Sequence, residues 1–190
     1  MTIEIRNESH RALAAYATVP ITFEVREIVD VAALHEQPGT LATQRVTQPY
    51  VKDYDTIPSN DPLSWPTRFE THHWIVLGAF AERRRVGGAI VVVDAAEVEQ
   101  LGGRPPFALL WDLRVAPDWR RRGLGRTLLG EAETAARAAR CVGLEVETQD
   151  VNVAACRLYA ASGYTVRRIV PAGYEDAPDE TKLLWVKLFV

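Results

Sequence analysis

Residues 107–149 constrain the fold of this 190-residue chain more than any other segment. Positions 107–115 are a nearly continuous apolar run, the pattern of a strand covered on both faces, and Pro117 ends it. Leu124, Leu128, Ala132, Ala135 and Ala139 then share one stripe, which predicts a helix over 124–140 stopped by Gly143. Glu133 and Arg137, four residues apart, are placed on its wet side. Residues 144–149 alternate strictly, with Leu144, Val146 and Thr148 on one face and Glu145, Glu147 and Gln149 on the other. Strand, helix and strand in that order predict one mixed α/β domain.

The flanks are less regular. Residues 3–5 begin as a short alternating segment and 11–17 read as a short helix. Residues 21–31 fit a strand or a helix equally well. Residues 38–66, broken by Pro49, Pro58, Pro62 and Pro66, read as a long irregular stretch of the kind that usually carries function. Residues 74–80 and 86–93, joined by the charged turn 82–85, read as a hairpin. Gly102, Gly103, Pro105 and Pro106 mark 97–106 as a loop. A helix over 152–161 is closed by Gly163, and 164–170 and 182–189 are the last strands.

Charge and cysteine usage exclude several classes. A net charge of -3 and a pI of about 5.8 argue against a nucleic-acid partner, while leaving room for one local basic patch. No apolar run approaches the ~20 residues that span a bilayer, and the polar start at 1–11 is no signal peptide. A cytoplasmic location without a membrane partner is expected. Cys141 and Cys156 lack metal-ligand spacing, and His72 and His73, adjacent on an extended segment, point to opposite sides. No metal is expected, and the thiols read as buried and free.

The basic patch lies at Arg120-Arg121-Arg122-Gly123-Leu124-Gly125, between the apolar strand and the long helix. A helix start leaves backbone N–H groups without partners, normally capped by Ser, Thr, Asp or Asn. None of these stands here. Glycines let a ligand approach the backbone, and the exposed N–H groups with the helix dipole favour phosphate. The arginines add charge and paired donors, so a diphosphate fits this turn. The dinucleotide fingerprint fails because Leu128 stands at its third glycine, and the Gly-Lys-Ser/Thr of a P-loop is absent.

Leu113-Arg114-Val115 followed by Arg120-x-x-Gly123-x-Gly125 resembles the coenzyme A motif of the Gcn5-related N-acetyltransferase superfamily. Asn152-x-x-Ala155-x-x-x-Tyr159-x-x-x-Gly163-Tyr164 is similar to the next motif of that superfamily. The resemblance is firm over 107–166. It implies a mixed, mostly antiparallel sheet, splayed at its centre between strands 107–115 and 144–149 and flanked by helices. It implies acetyl-CoA as co-substrate. The backbone of Leu113, Arg114 and Val115 would pair with the pantetheine arm, and the turn of Arg120, Arg121, Arg122, Gly123, Leu124, Gly125 and Arg126 would hold the diphosphate. The side chain of Asn152 would contact the arm, cap its helix, or do both. Tyr159 would lie near the sulfur and protonate the departing thiolate; packing alone is the competing role for its ring.

The acceptor of such an enzyme is an amine, which must lose a proton before it attacks the thioester. Asp112, Glu145, Glu147 and Asp150 supply carboxylates around the predicted cleft that suit a cationic amine, with Glu147 assigned to base or acceptor binding. Glu145 and Glu147 also fit the solvated face of a half-buried strand. Segment 38–66 is expected to hold part of the acceptor site. Trp111 to Val115, Glu147 to Asn152 and the tail from Tyr174 to Trp185 with Asp179-Glu180 resemble the streptothricin acetyltransferase branch. That branch acts on an amine of a small-molecule antibiotic. A protein or peptide acceptor, or a coenzyme A sensor without turnover, are the alternatives; Tyr159 argues against a sensor. Dimers are common in the superfamily, so a homodimer is compatible with the resemblance.

Overall fold

A computed structural model describes residues 2–36, 40–57, 59–93 and 107–189. In chain order the elements are β1 (Ile3–Glu8), α1 (Leu13–Tyr16), β2 (Phe23–Val29), α2 (Val31–Glu36), β3 (Thr43–Lys52), α3 (Trp65–Arg68), β4 (Ile75–Ala81), β5 (Arg84–Val92), β6 (Phe107–Val115), α4 (Leu124–Ala138), β7 (Gly143–Gln149), α5 (Val153–Ala161), β8 (Thr165–Val170) and β9 (Lys182–Leu188). The fold is the expected mixed α/β class with mostly antiparallel strands. The chain divides into two compact units: Met1–Thr22, Asp53–Leu144 and Phe189–Val190, then Phe23–Lys52 and Glu145–Leu188.

The first unit is built on antiparallel strands in the order β1-β4-β5-β6. β4 and β5 form the expected hairpin, with Ala81 opposite Arg84 and Glu82 turning at φ 56. Cover on β6 is uneven. Ala108, Leu109 and Leu110 are buried, whereas Trp111, Asp112 and Leu113 are half-buried, so the double cover expected for the whole strand holds only for its first half.

Leu124, Leu128, Leu129, Ala132 and Ala136 of α4 are buried. The stripe therefore continues to Ala136, while Ala139 is exposed because the helix has already ended before it. Arg140, at φ 60, takes the left-handed position after the helix, and Gly143 instead begins β7. Glu133 is buried rather than wet, paired with Arg137 at 3.5 Å, and Arg137 itself lies 4.0 Å from the centre of the Phe189 ring. An aromatic core of Tyr16, Trp65 and Trp74, edged by Phe69 and Trp111, fills another part of this unit.

The second unit contains the two-stranded antiparallel sheet β2-β3 and the strands β7-β9-β8. Residues 21–31, ambiguous in sequence, are therefore mainly strand. The supposed irregular stretch 38–66 contains the ten-residue strand β3, with Pro49 inside it. The partners jump from Val25 opposite Tyr50 to Glu27 opposite Arg45, so Pro49 falls where the ladder is interrupted and no N–H is needed. β7 alternates as expected, with Leu144, Val146 and Thr148 buried. Asn152 caps α5 and Gly163, at φ 83, follows its end. Among the described residues no helix is long and apolar enough to cross a membrane. The loop read at 97–106, together with Pro38 and Pro58, lies outside the described residues.

Gly88 illustrates how closely the first unit is packed. A Cβ there would lie 2.5 Å from the Leu77 carbonyl oxygen and 2.6 Å from the Tyr16 ring. Gly88→Ala is expected to cost about 1–3 kcal/mol by overpacking, read as a lower midpoint in thermal unfolding. An unchanged midpoint would show that Tyr16 can shift without cost.

Candidate active site

In the first unit, the candidate residues lie at the end of β6 and the start of α4. After Val115 the chain makes a short helical turn at Pro117–Trp119. Arg121 at φ 63 and Gly123 at φ 86 then adopt left-handed backbone. Arg120 before them is extended, at φ -66 and ψ 156, and the N–H groups left without partners at the start of α4 favour an anion. Gly123 is the N-cap of α4, no side chain caps the helix, and no acidic residue stands in its first turn. The first helical bond runs from the Thr127 N–H to the Gly123 carbonyl at 3.1 Å. Arg121, Arg122 and Arg126 are exposed, and Arg122 lies over the Trp119 ring at 5.2 Å. A cavity of about 350 Å³ lined by Ile3, Ile5, Trp119, Arg122, Leu124 and Thr127 adjoins the same turn. Such a set of donors suits an anionic ligand.

Arg120 differs from its neighbours. Its Nε donates to the Val115 carbonyl at 3.0 Å and its guanidinium reaches the Pro20 carbonyl at 3.3 Å. Burial lowers its pKa from the usual arginine value. It braces the turn, while Arg121 and Arg122 present charge to solvent.

Asp112 and Arg114 stand two apart on β6, on one face. The Arg114 side chain is 0% exposed. It donates to Asp112 at 2.8 and 3.0 Å, to both oxygens of Asp55 at 3.1 Å and to the Val19 carbonyl at 3.2 Å. The Tyr16 hydroxyl donates to Asp112 at 2.5 Å, and the guanidinium lies 5.0 Å from the centre of the Tyr16 ring. Burial alone would lower the Arg114 pKa, but the charge of Asp112 and the surrounding hydrogen bonds hold it above the usual value. Burial, followed by the charge of Asp112, keeps the Tyr16 phenol well above its ordinary pKa and therefore neutral. Burial raises the Asp55 pKa against the pull of Arg114. Asp112 thus has internal partners. Tyr16 and Asp55 were not identified from sequence; the one signal was that Asp112 and Arg114, on a mostly apolar strand, demand polar company.

In the second unit, β7 carries Glu145 and Glu147 on its half-buried face. Glu145 pairs with Arg167 at 2.7 Å. Glu147 accepts from the Tyr174 hydroxyl at 3.0 Å and pairs with Lys182 at 3.4 Å. Asp150 is buried and accepts from the Thr181 N–H at 3.0 Å. Burial raises its pKa, as does the charge of Glu180. The Asn152 side-chain oxygen accepts from the Ala155 N–H at 3.2 Å, so the capping role is present and the amide nitrogen remains as a donor. Tyr159 is buried on α5, its ring centre 5.8 Å from that of Tyr164 and 6.1 Å from that of Trp185. Cys156 is buried and free, and burial pushes its thiol up to about 12, so it is inert as a nucleophile. Among the described residues no cluster of His, Cys, Asp and Glu is placed to hold a metal ion.

The family model for the acetyltransferase (GNAT) family matches residues 41–164. Streptothricin acetyltransferase of Escherichia coli is 30% identical over 166 residues, covering 86% of this chain and 83% of that protein. Streptothricin acetyltransferase A of Bacillus subtilis (strain 168) is 34% identical over 85 residues, 44% of this chain and about half (49%) of that protein's length. The fold resembles the crystal structure of nourseothricin acetyltransferase, with a TM-score of 0.74 at 21% identity over 99% of both chains. It also resembles a Bacillus anthracis structure solved with acetyl coenzyme A, with a TM-score of 0.75 at 20% identity over 100% of both. The chain belongs to the acetyltransferase (GNAT) family and is an acetyl-CoA-dependent N-acetyltransferase.

Two substitutions separate the roles at this site. A β-branched residue is costly at the left-handed φ of Gly123. Gly123→Val is therefore expected to weaken acetyl-CoA binding about tenfold or more in calorimetry; normal affinity would remove this turn from the diphosphate site. Arg114→Met leaves the half-buried carboxylates Asp55 and Asp112 without their cation and is expected to cost roughly 3–5 kcal/mol of stability in urea unfolding. A loss below about 1 kcal/mol would mean the network contributes no more than a surface pair.

Proposed function

We propose that the acceptor is a primary amine of a small, cationic, streptothricin-type molecule, acetylated by direct attack on the thioester. The observation that carries this reading is the likeness to the Escherichia coli streptothricin acetyltransferase along most of both chains. The half-buried carboxylates Glu145 and Glu147 add chemical support, since a cationic acceptor is drawn to carboxylates.

Acetyl-CoA supplies the activated acetyl group. The β6 backbone at Leu113, Arg114 and Val115 is assigned to align the pantetheine arm, with the amide nitrogen of Asn152 as a further donor. The N–H groups from Arg121 to Arg126, with the exposed arginines, are assigned to the diphosphate. Glu147 is assigned to take the proton of the incoming ammonium, with Glu145 and Asp150 contributing negative potential. The Tyr159 hydroxyl is assigned to protonate the leaving sulfur, a role suited to a phenol because it is neutral at working pH. No covalent enzyme intermediate is needed, in keeping with the inert Cys156.

The reading is tested by release of free thiol from acetyl-CoA with streptothricin, aminoglycosides, polyamines, amino acids and short peptides as acceptors. Streptothricin is expected to give the highest kcat/KM; turnover confined to another amine would overturn the acceptor assignment. With the best acceptor, Tyr159→Phe is expected to lower kcat about a hundredfold or more while acetyl-CoA affinity stays within about twofold. Unchanged turnover would remove Tyr159 from the chemistry.

A further inference from the structure

The second unit holds a pair of carboxylates whose charge is only half answered. Glu180, in the turn before β9, is 8% exposed. One of its oxygens, Oε1, pairs with Lys52 of β3 at 2.5 Å. The other, Oε2, is buried and makes no hydrogen bond. Asp150 is close enough for the Glu180 charge to raise its pKa, after the larger effect of burial. It forms no ion pair among the described residues. Tyr50 stands two residues before Lys52 on β3, on the same face of the strand, and both carboxylates raise the pKa of its phenol, after burial. Tyr50 is 41% exposed, so this face of β3 reaches solvent.

A buried carboxylate oxygen without a donor loses its hydration with nothing in return. Two carboxylates against one lysine leave one negative charge over. A small group with N–H donors and one positive charge meets both needs. The Tyr50 ring beside it provides a surface that an ammonium or guanidinium favours.

We propose that Glu180, supported by Asp150 and flanked by Tyr50, anchors a second, non-reacting cationic group of the acceptor, so that the enzyme selects amines carrying at least two positive charges. This rests on the small-cationic-amine reading given above and assigns its selectivity to named residues. Lys52 is the resident cation that competes for Glu180.

The competition gives the test a sign. Lysinamide, with two ammonium groups, and norleucinamide, with one, are titrated into the protein in the presence of coenzyme A. Wild type is expected to prefer lysinamide. Glu180→Gln, close in shape and uncharged, is expected to reduce that preference about tenfold or more. Lys52→Gln removes the competitor and is expected to increase it. A purely structural Lys52–Glu180 pair would instead make both variants move together, and circular dichroism identifies a variant that has unfolded. Tyr50→Ala, at an exposed position, supplies a variant that does not threaten the fold and is expected to weaken lysinamide alone. Equal binding of the two amides by wild type, or an unchanged preference in Glu180→Gln, overturns the anchor. Wild-type thiol release is measured separately with dicationic and monocationic acceptors. Absence of release with any dicationic amine overturns the acceptor reading and the anchor with it, whereas dicationic turnover with unchanged selectivity in Glu180→Gln overturns the anchor alone.

Discussion

Arg114 is the charge around which the first unit is organised. A guanidinium removed from water is tolerable only when carboxylates and carbonyls replace its hydration. Its partners come from far apart in the chain: Val19 after α1, Asp55 beyond β3, and Asp112 on its own strand. Tyr16 closes the set, with its hydroxyl on Asp112 and its ring against Gly88. Once the guanidinium is buried, each of these segments has one place to be. The strand whose backbone is assigned to the cofactor arm is therefore held by side chains that need not touch the cofactor.

Features set by neighbouring residues are legible in the sequence, and features set by distant partners are not. The uncapped start of α4 was legible because capping is local, with donors and acceptors a few residues apart. The alternation of β7 was legible because a period of two is visible in seven residues. β3 was not, because its proline is loop-like by any local rule, and only the register break opposite Val25 and Glu27 lets Pro49 remain in a strand. Glu133 was misplaced for a related reason. The i,i+4 rule identifies its partner Arg137 but not which part of the pair the surrounding chain covers. Asp112 was noticed as a carboxylate, whereas its partner Tyr16 is 96 positions away and Asp55, the partner of Arg114, is 59 positions from that arginine, beyond the reach of any spacing rule.

The carboxylates of the second unit follow one pattern. Glu145, Glu147 and Glu180 each stand beside a cation, namely Arg167, Lys182 and Lys52. Two carboxylates at i and i+2 on one strand face repel each other, and the paired cations reduce that repulsion. The same cations lower the gain from binding a single positive charge, because an incoming ammonium then exchanges with a resident one. Exchange favours a ligand that brings several charges in a fixed arrangement, since one attachment raises the effective concentration of the next.

Asp150 is the exception, and its place explains why. Its carboxylate is held by the Thr181 N–H, its own N–H bonds the Thr181 carbonyl, and its carbonyl accepts from the Val29 N–H. One residue thus joins the end of β7, the start of β9 and the end of β2. Backbone donors can satisfy its hydrogen bonds without cancelling its charge. The negative potential therefore persists, and it acts on Tyr50 and on the buried Cys156. A charge that no side chain among the described residues neutralises is a preorganised field, and such a field discriminates between cations.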